Sequence, residues 1–499
     1  MKNKLIITTL LSVSIVSNSF AQKMEFSGYL ASSGGVHTST PSVVDKRGNI
    51  FVAGGTREGL KVTNDAMQKN YKGHTDKDVT GGDAFLMKLS PKGEIIYSTY
   101  IGGSKSENYC LKLALDDFGN VYVGFTTESP DLPVSNNAYQ KSIKGGNDHY
   151  IIKFSNDCKY IASTYLGGSG SDHWTTLAVN NNTLYLFGKS RSNDFPTTQR
   201  VIQKTYDNFA PPDTSKPWLS GDITITSLSL TLDKILYSTY LGGKSLDYVR
   251  SYSTDLDGKI ILVGGTYSDN FPTTKNAYQK SMAGKQDGFF TIINKNLSKI
   301  EYSTFFGGDS TDQVNSVFVE DADNIILIGE TKSPNIPITF DAVNGKYLGG
   351  NADGFIMRFN LKSNKPVYSS FIGGSKTDWL KYIAKTDRQN YVLVGTTSSK
   401  DFLVTKDALY PSINSGMDLV ILLLDKSLKN IEYSTYGGGS NQRIMDPTVN
   451  YVKGGKLVIS SMCVSPDFPA TLKFGKPDNT WTNCIWKFDL DSKCENEQN

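Results

Sequence analysis

Histidine and cysteine are scarce in this chain, and the sequence motifs of several enzyme classes are absent from it. Of 499 residues, four are histidine and five are cysteine. The cysteines follow no metal-ligand spacing: Cys110, Cys158, Cys463, Cys484 and Cys494. No Gly-x-Ser-x-Gly or His-Glu-x-x-His motif occurs, so a serine-hydrolase elbow and a zinc protease are not indicated. The formal net charge of +3 argues against a nucleic-acid partner.

The first 21 residues have the pattern of a secretory leader. Two lysines precede an apolar stretch over residues 5–16, and small Ser19 and Ala21 come before a cut at Gln22. An uncleaved anchor is the alternative, but the stretch is short for a membrane span, and no later segment is long enough to insert. We therefore expect a secreted or periplasmic protein. That compartment permits disulfides, and we predict one between Cys463 and Cys484 of the last repeat.

What the chain has in plenty is glycine, tyrosine and a repeated phrase. The phrase, Tyr-Ser-Thr-Tyr-Leu-Gly-Gly at residue 237, recurs with small changes at residues 97, 162, 302, 368 and 433. The spacing is 65 or 66 residues, apart from one interval of 75. A degenerate copy begins at Phe26. A fixed period of this kind indicates a repeat architecture.

Each repeat predicts four antiparallel strands, because four stretches of alternating or apolar residues are divided by turn residues. Four such strands make a propeller blade, and a solenoid, the alternative, would need capping repeats. The chain begins with an outer-strand phrase and ends with a third strand. We therefore predict an all-β, seven-bladed β-propeller over residues 22–490, with residues 491–499 as a tail. Residues 24–31 should pair with residues 484–488 and close the ring.

The repeat resembles a family of bacterial seven-bladed propellers found in many exported proteins. The resemblance lies in the phrase above together with Gly-Asn-Val-Tyr-Val at residue 119, Asp-Phe-Pro-Thr-Thr at residue 194 and Asp-Ala-Phe at residue 83. It covers nearly all of the chain after the leader. It implies the fold, whereas such a fold hosts many activities.

Differences among the repeats mark candidate site residues. One position in the loop between the outer strand and the next inner strand should lie at one face of the propeller, near its axis. In successive repeats this position is occupied by His37, Asn108, His173, Tyr248, Gln313 and Trp379. The third strand opens with Asp and a small residue in three copies, but with Asp and His149 in the second. His149 either packs at a strand start or joins His173 and Tyr248 in a site.

Basic and aromatic residues accompany this position. The basic ones are Arg57, Lys189, Arg191, Arg250 and Lys332. Trp174, Tyr267 and Trp379 add rings for stacking, and the set suits an anionic sugar polymer. Copy three also carries an insertion at about residues 207–220; loops of this length are often functional, and a simple surface elaboration is the alternative.

The histidines, tyrosine and arginine suit β-elimination of a uronate, which needs a base, an acid and a group that neutralises the carboxylate. The set resembles the site of seven-bladed propeller lyases that cleave ulvan, a sulfated uronate polymer. This resemblance implies His149, His173, Tyr248 and Arg250 (or Arg191) as catalytic residues.

The expected substrate-binding residues are Arg57, Asn108, Lys189, Arg191, Tyr267 and Trp379. The sequence requires no cofactor and leaves a structural metal ion open. We expect a monomer that takes an anionic polysaccharide. The rival hypothesis is a non-catalytic propeller that binds a glycan or a protein at the cell surface.

Overall fold

The chain forms seven separate β-sheets, six of which have four strands in simple sequential order. The computed structural model describes residues 23–32, 39–73, 82–107, 109–206, 220–413, 416–438, 445–464, 470–474 and 481–490. First strands of neighbouring sheets contact one another, as between β6 (Tyr109–Leu115) and β10 (Asp172–Asn180). The sheets thus stand around an axis, and the protein is a seven-bladed β-propeller.

The strands of the first six blades run from the axis outwards. Blade one has β2 (Ser42–Val44), β3 (Ile50–Thr56), β4 (Asp83–Leu89) and β5 (Ile95–Ile101). Blade two has β6, β7 (Val121–Thr127), β8 (Asp148–Phe154) and β9 (Tyr160–Leu166). Blade three has β10, β11 (Thr183–Ser190), β12 (Asp222–Ser229) and β13 (Ile235–Leu241). Blade four has β14 (Asp247–Thr254), β15 (Ile260–Thr266), β16 (Asp287–Ile293) and β17 (Ile300–Phe306). Blade five has β18 (Asp312–Val319), β19 (Asn324–Thr331), β20 (Asp353–Asn360) and β21 (Lys365–Ile372). Blade six has β22 (Asp378–Lys385), β23 (Tyr391–Thr397), β24 (Asp418–Leu424) and β25 (Ile431–Gly437).

Blade seven closes the ring with both ends of the described chain. It has β26 (Met445–Val452), β27 (Lys456–Cys463) and β29 (Thr482–Asp489), with β1 (Lys23–Ser32) as its outer strand. The short β28 (Leu472–Lys473) adds to β1 in parallel. Residues from Lys23 to Ser32 pair with residues from Asp489 back to Thr482, so the predicted closure is confirmed.

A disulfide joins the second and third strands of this blade. Cys463 and Cys484 are bonded, with Cα atoms 6.2 Å apart, as the sequence predicted. Cys463 faces Thr482 and Cys484 faces Ser461, so the bond runs diagonally between the two strands. Cys158 is a buried free thiol. Cys494 lies outside the described residues.

The repeated residues fasten the long loop of each blade to its outer strand. In blade two the Thr164 hydroxyl accepts the backbone N–H of Gln140 at 3.0 Å. The Gln140 side chain donates to Asp148 at 2.8 Å and accepts the N–H of Gly167 at 3.2 Å. The same two side-chain bonds recur in blades one, three and four. The phrase, the glutamine and the aspartate therefore recur together because they form one set of contacts.

Neighbouring blades meet at pairs of buried carboxyl groups. Asp172 accepts the N–H of Gly168 at 2.7 Å and the Ser192 hydroxyl at 2.8 Å. Asp148 of the preceding blade lies on the other side of Gly167, where an added Cβ would be 2.4 Å from its carboxyl carbon. The equivalent pairs are Asp83 with Glu107, Asp222 with Asp247, Asp287 with Asp312, and Asp353 with Asp378.

Each blade presents two kinds of connection at its ends. The end that carries the loops between second and third strands, and between blades, is called the loop face here. The opposite end, with the short turns, is the turn face. None of the described residues belongs to a helix long and apolar enough to cross a membrane.

Candidate functional site

A cavity of about 610 Å³ lies on the axis of the ring. Its described lining residues come from all seven blades: Ser39, Lys112, Trp174, Thr175, Thr176, Leu177, Tyr248, Val249, Arg250, Ser251, Tyr252, Asn315, Ser316, Lys381, Tyr382, Pro447, Thr448, Val449 and Met462. Three of these are basic and none is acidic. A concave, mostly apolar cavity with a few charged groups is the usual form of a ligand site.

β-Bulges in the innermost strands place the polar lining residues. The pairing register shifts between Val249 and Ser251, so Arg250 is the extra residue of a bulge. Asn315 in blade five and Lys381 in blade six occupy the same position. In blade three the irregular segment lies between His173 and Thr176 and contains Trp174. A bulge redirects a side chain that regular alternation would place elsewhere, and here it brings these residues to the cavity.

Contacts join the lining residues of blades three and four. The Lys189 Nζ lies 4.3 Å from the centre of a Trp174 ring, and the Trp174 and Tyr248 rings meet edge to face at 5.4 Å. The Arg250 guanidinium lies 5.1 Å from the Tyr248 ring. Two cations are thus held against two adjoining aromatic rings, an arrangement that fixes their positions.

The wall continues through blades five and six. The Tyr248 hydroxyl accepts from the Gln286 side chain at 2.6 Å and donates to Gln313. Asn315 accepts from Gln313 and donates to Glu330 at 3.3 Å. Glu330 also pairs with Lys381 at 3.3 Å. The Lys381 Nζ lies 5.0 Å from the Trp379 ring.

His149 lies inside the wall between blades two and three. Its side chain is 0% exposed, and its Nδ1 is 2.8 Å from the Thr175 hydroxyl. Its ring meets Phe195 edge to face, and its Nε2 is 2.5 Å from the position that a Cβ on Gly188 would take. Burial lowers the pKa of His149 to about 3, so the imidazole is neutral at physiological pH. His149 is not among the described residues that line the cavity.

His173 lies at the start of β10 and is half-buried. Burial, together with nearby Lys189, holds the pKa of His173 well below its usual range. Its ring is 5.7 Å from Trp174, which in turn contacts Tyr248. Trp174, rather than His173, lines the cavity, and it is 38% exposed.

At the position that was expected to surround the axis, the side chains of Tyr248 and Gln313 are mostly buried in the cavity wall. Tyr248 is 6% exposed and Gln313 is buried, because both belong to the hydrogen-bonded chain described above. Burial raises the pKa of Tyr248 above its usual value. Blades five and six line the cavity instead with Asn315 and Lys381, two residues further along each strand, and with the residues that follow them, Ser316 and Tyr382. Sequence reasoning missed both, and Lys112 as well.

The other expected residues are dispersed over the loop face. Tyr267 is half-buried beside Arg250, whose charge opposes the rise that burial causes in the tyrosine's pKa. Arg191 donates to the Ser220 carbonyl at 3.3 Å, and Lys332 is exposed. Arg57, Arg191, Tyr267 and Trp379 are not among the described lining residues. His37, His74, Asn108 and residues 207–219 of the insertion lie outside the described residues.

The described residues contain no group of three or more histidine, cysteine, aspartate or glutamate side chains that could hold a metal ion. The paired carboxyls between blades are buried and bonded to neighbouring N–H and hydroxyl groups. Their arrangement is that of structural hydrogen-bond acceptors.

No family model matches the chain, and no curated protein matches it. Among solved structures it is similar to quinohemoprotein alcohol dehydrogenase from Comamonas testosteroni, with 10% identity over 95% of this chain and 77% of that one, at a TM-score of 0.40. It is similar to the Dos1 propeller, with 10% identity over 95% and 96% of the two chains and a TM-score of 0.40. A protein of unknown function from Bacteroides caccae matches with 9% identity over 70% and 89%, at a TM-score of 0.35. Likenesses this remote do not bear on function.

Proposed function

We propose that the protein binds an acidic carbohydrate at the loop-face mouth of its central cavity. The observation that carries this proposal is the cavity wall itself, in which Trp174, Arg250 and Lys381 reach a concave site with no acidic lining residue among those described. An exposed indole offers an apolar surface for a sugar ring. Arginine and lysine bind carboxylate and sulfate groups, and a cleft with one sign of charge concentrates ligands of the other.

Binding is proposed in preference to cleavage because of where His149 and the Tyr248 hydroxyl lie. β-Elimination needs a base that reaches the sugar, and His149 is fully buried against Thr175 and Phe195. The Tyr248 hydroxyl, the expected acid, is already bonded to Gln286 and Gln313. The glycan-binding hypothesis needs neither group to transfer a proton. Export, as the leader predicts, would bring the site to extracellular polysaccharides.

The test is calorimetric titration of the folded protein with ulvan, alginate and polygalacturonate, with dextran as the neutral comparison. We expect the acidic polymers to bind and dextran not to bind, with affinity that falls as salt rises because ions screen the charges. Trp174→Ala and Arg250→Gln should each weaken binding at least about tenfold, the usual effect of removing an interface anchor. Equal binding of dextran and the acidic polymers contradicts the proposal.

Arg47→Gln is the matched control for Arg250→Gln. Arg47 is an exposed arginine in the turn between β2 and β3, on the turn face. Its replacement removes the same charge and should leave the affinity unchanged. Absorbance of the unsaturated uronate product, followed in the same samples, measures cleavage. A rise with the acidic polymers would favour the lyase hypothesis over simple binding.

A further inference from the structure

We propose that the cavity takes the end of an acidic sugar chain, one or two sugars long and carrying two separate anionic groups. This inference rests on the proposed function and specifies its ligand. It concerns which part of a polymer enters, and how many charges the site recognises. Three features of the wall lead to it: its closure, the placement of its cations and the backbone that holds them.

The first feature is closure of the wall around the axis. Ser39 from blade one, Lys112 from blade two and Thr448 from blade seven line the same cavity as the residues of blades three to six. A polymer that runs through a site needs a groove open at two ends, and the described residues, which supply a wall from all seven blades, form no such groove. The volume of about 610 Å³ lies within the range of small-molecule sites and suits one or two sugar rings. A chain end fits such a cavity.

The second feature is the separation of two cationic positions. Arg250 belongs to blade four and Lys381 to blade six, and blade five lies between them. The wall between them is the chain of amides from Gln313 to Asn315. Arginine can grip a carboxylate or sulfate with two parallel hydrogen bonds, whereas lysine acts as a point charge. Two cations held apart in this way match two anionic groups on one small ligand better than a single group.

The third feature is that neither cation is held by a flexible stem alone. The Arg250 guanidinium lies on the Tyr248 ring at 5.1 Å. The Lys381 Nζ lies on the Trp379 ring at 5.0 Å and also pairs with Glu330 at 3.3 Å. Each is also the extra residue of a bulge, and the residues on both sides of it pair with the neighbouring strand. Groups that are already in position lose little freedom when a ligand binds, which favours a short ligand with few contacts.

The experiment is a length series of oligogalacturonides with one to six sugars, titrated into the full-length folded protein. We expect affinity to rise from one sugar to two and to change less than about threefold beyond two. With polygalacturonate of increasing length, the number of protein molecules bound per chain should stay constant, because binding follows chain ends. Binding that scales with chain length, or affinity that keeps rising to six sugars, overturns the inference and leaves the proposed function intact. Absence of binding at every length overturns both.

The number of recognised charges is tested with the digalacturonide and its singly reduced form, in which one carboxylate is an alcohol. The native protein should bind the reduced form at least about tenfold more weakly. Lys381→Gln should bind the two forms within threefold of each other, whereas Lys332→Gln, which removes an exposed loop-face lysine outside the cavity, should keep the native preference. Loss of the preference in Lys332→Gln, or its retention in Lys381→Gln, contradicts a two-charge site. Unfolding curves of each variant confirm that it is folded.

Discussion

His149 shows how a residue that departs from the repeat can pack against the neighbouring blade. In blades one, four and five, the third strand opens with an aspartate that is followed by alanine or glycine. In blade two the imidazole fills the space above Gly188 of blade three and takes the Thr175 hydroxyl as its partner. The sequence displays the substitution but not the glycine that it packs against, because Gly188 belongs to the next repeat. The comparison of repeats alone suggests a catalytic role for this histidine, whereas the structure places its side chain in the packed contact between two blades.

This packing predicts strong coupling between His149 and Gly188. Gly188→Ala would place a Cβ 2.5 Å from the buried imidazole, so it should lower the free energy of unfolding by about 1–3 kcal/mol. In a His149→Ala background the same change should cost about 1–2 kcal/mol less, because the ring is gone. Urea unfolding measures both. Gly437→Ala, whose Cβ would meet its nearest neighbour at 3.4 Å, is the tolerated control. Additive effects of the two changes would contradict the contact.

The innermost strand is the element that decides the site. Its loop-face end carries a bulge in each of blades two to seven, as the described pairing shows. The residue two positions before the bulge residue (Tyr248, Gln313 or Trp379) is the one that varies most visibly among the repeats, and the sequence analysis chose it. The bulge residue itself, Arg250, Asn315 or Lys381, reaches the cavity. Period-two alternation cannot identify it, because the extra residue breaks the alternation.

The carboxyl pairs at the strand ends predict a stability that depends on pH. Burial raises the pKa of Glu107 to about 8, and nearby Asp83 adds to the rise. Burial likewise raises the pKa of Asp247 to about 7 and that of Asp172 to about 6. Each folded-state value lies above the unfolded one, so the folded protein holds more protons. The contribution of these carboxyls to the free energy of unfolding should therefore fall as pH rises from about 5 to about 8, whereas the lowered pKa values of His149 and His173 act in the opposite direction below about pH 6.5.

Glu107→Gln tests this dependence, because the amide resembles the protonated acid and does not titrate. The variant should lose less stability than the native protein between pH 6 and pH 8, the upper part of the window set by the Glu107 pKa of about 8. Urea unfolding at several pH values provides the measurement. Glu58→Gln, a change at an exposed glutamate in the loop after β3, should follow the native curve. Parallel curves for all three proteins would show that Glu107 does not carry the effect.

At the scale of the whole molecule, the ring depends on a strand from the opposite end of the chain. β1 supplies the outer strand of blade seven, and Glu25 on it pairs with Lys456 at 2.7 Å and Lys487 at 2.9 Å. Tyr29 packs into the core of that blade with Trp486. A closed ring has no free sheet edge between its first and last blades.

Removal of residues 23–32 should therefore open the ring. We expect the melting temperature to fall by about 10 °C or more, because an entire strand and its core residues are lost. A synthetic peptide of residues 23–32 added in trans should restore part of the loss. Glu25→Gln, which removes the surface ion pairs and keeps the strand, should cost about 1 kcal/mol or less. An unchanged melting temperature in the shortened chain would contradict the role of β1.

The sequence by itself determined the fold, since the period of the repeat sets the number of blades and the order of strands sets the closure. It also predicted that Cys463 and Cys484 lie close together on neighbouring strands of one repeat, and the structure shows the bond between them. Only the tertiary structure decided which residues face the axis. Exposure to the cavity depends on bulges in the pairing with the next strand, and burial of His149 depends on Gly188 of another blade. Contacts between repeats have no signature within any single repeat, and the site of this protein is made of such contacts.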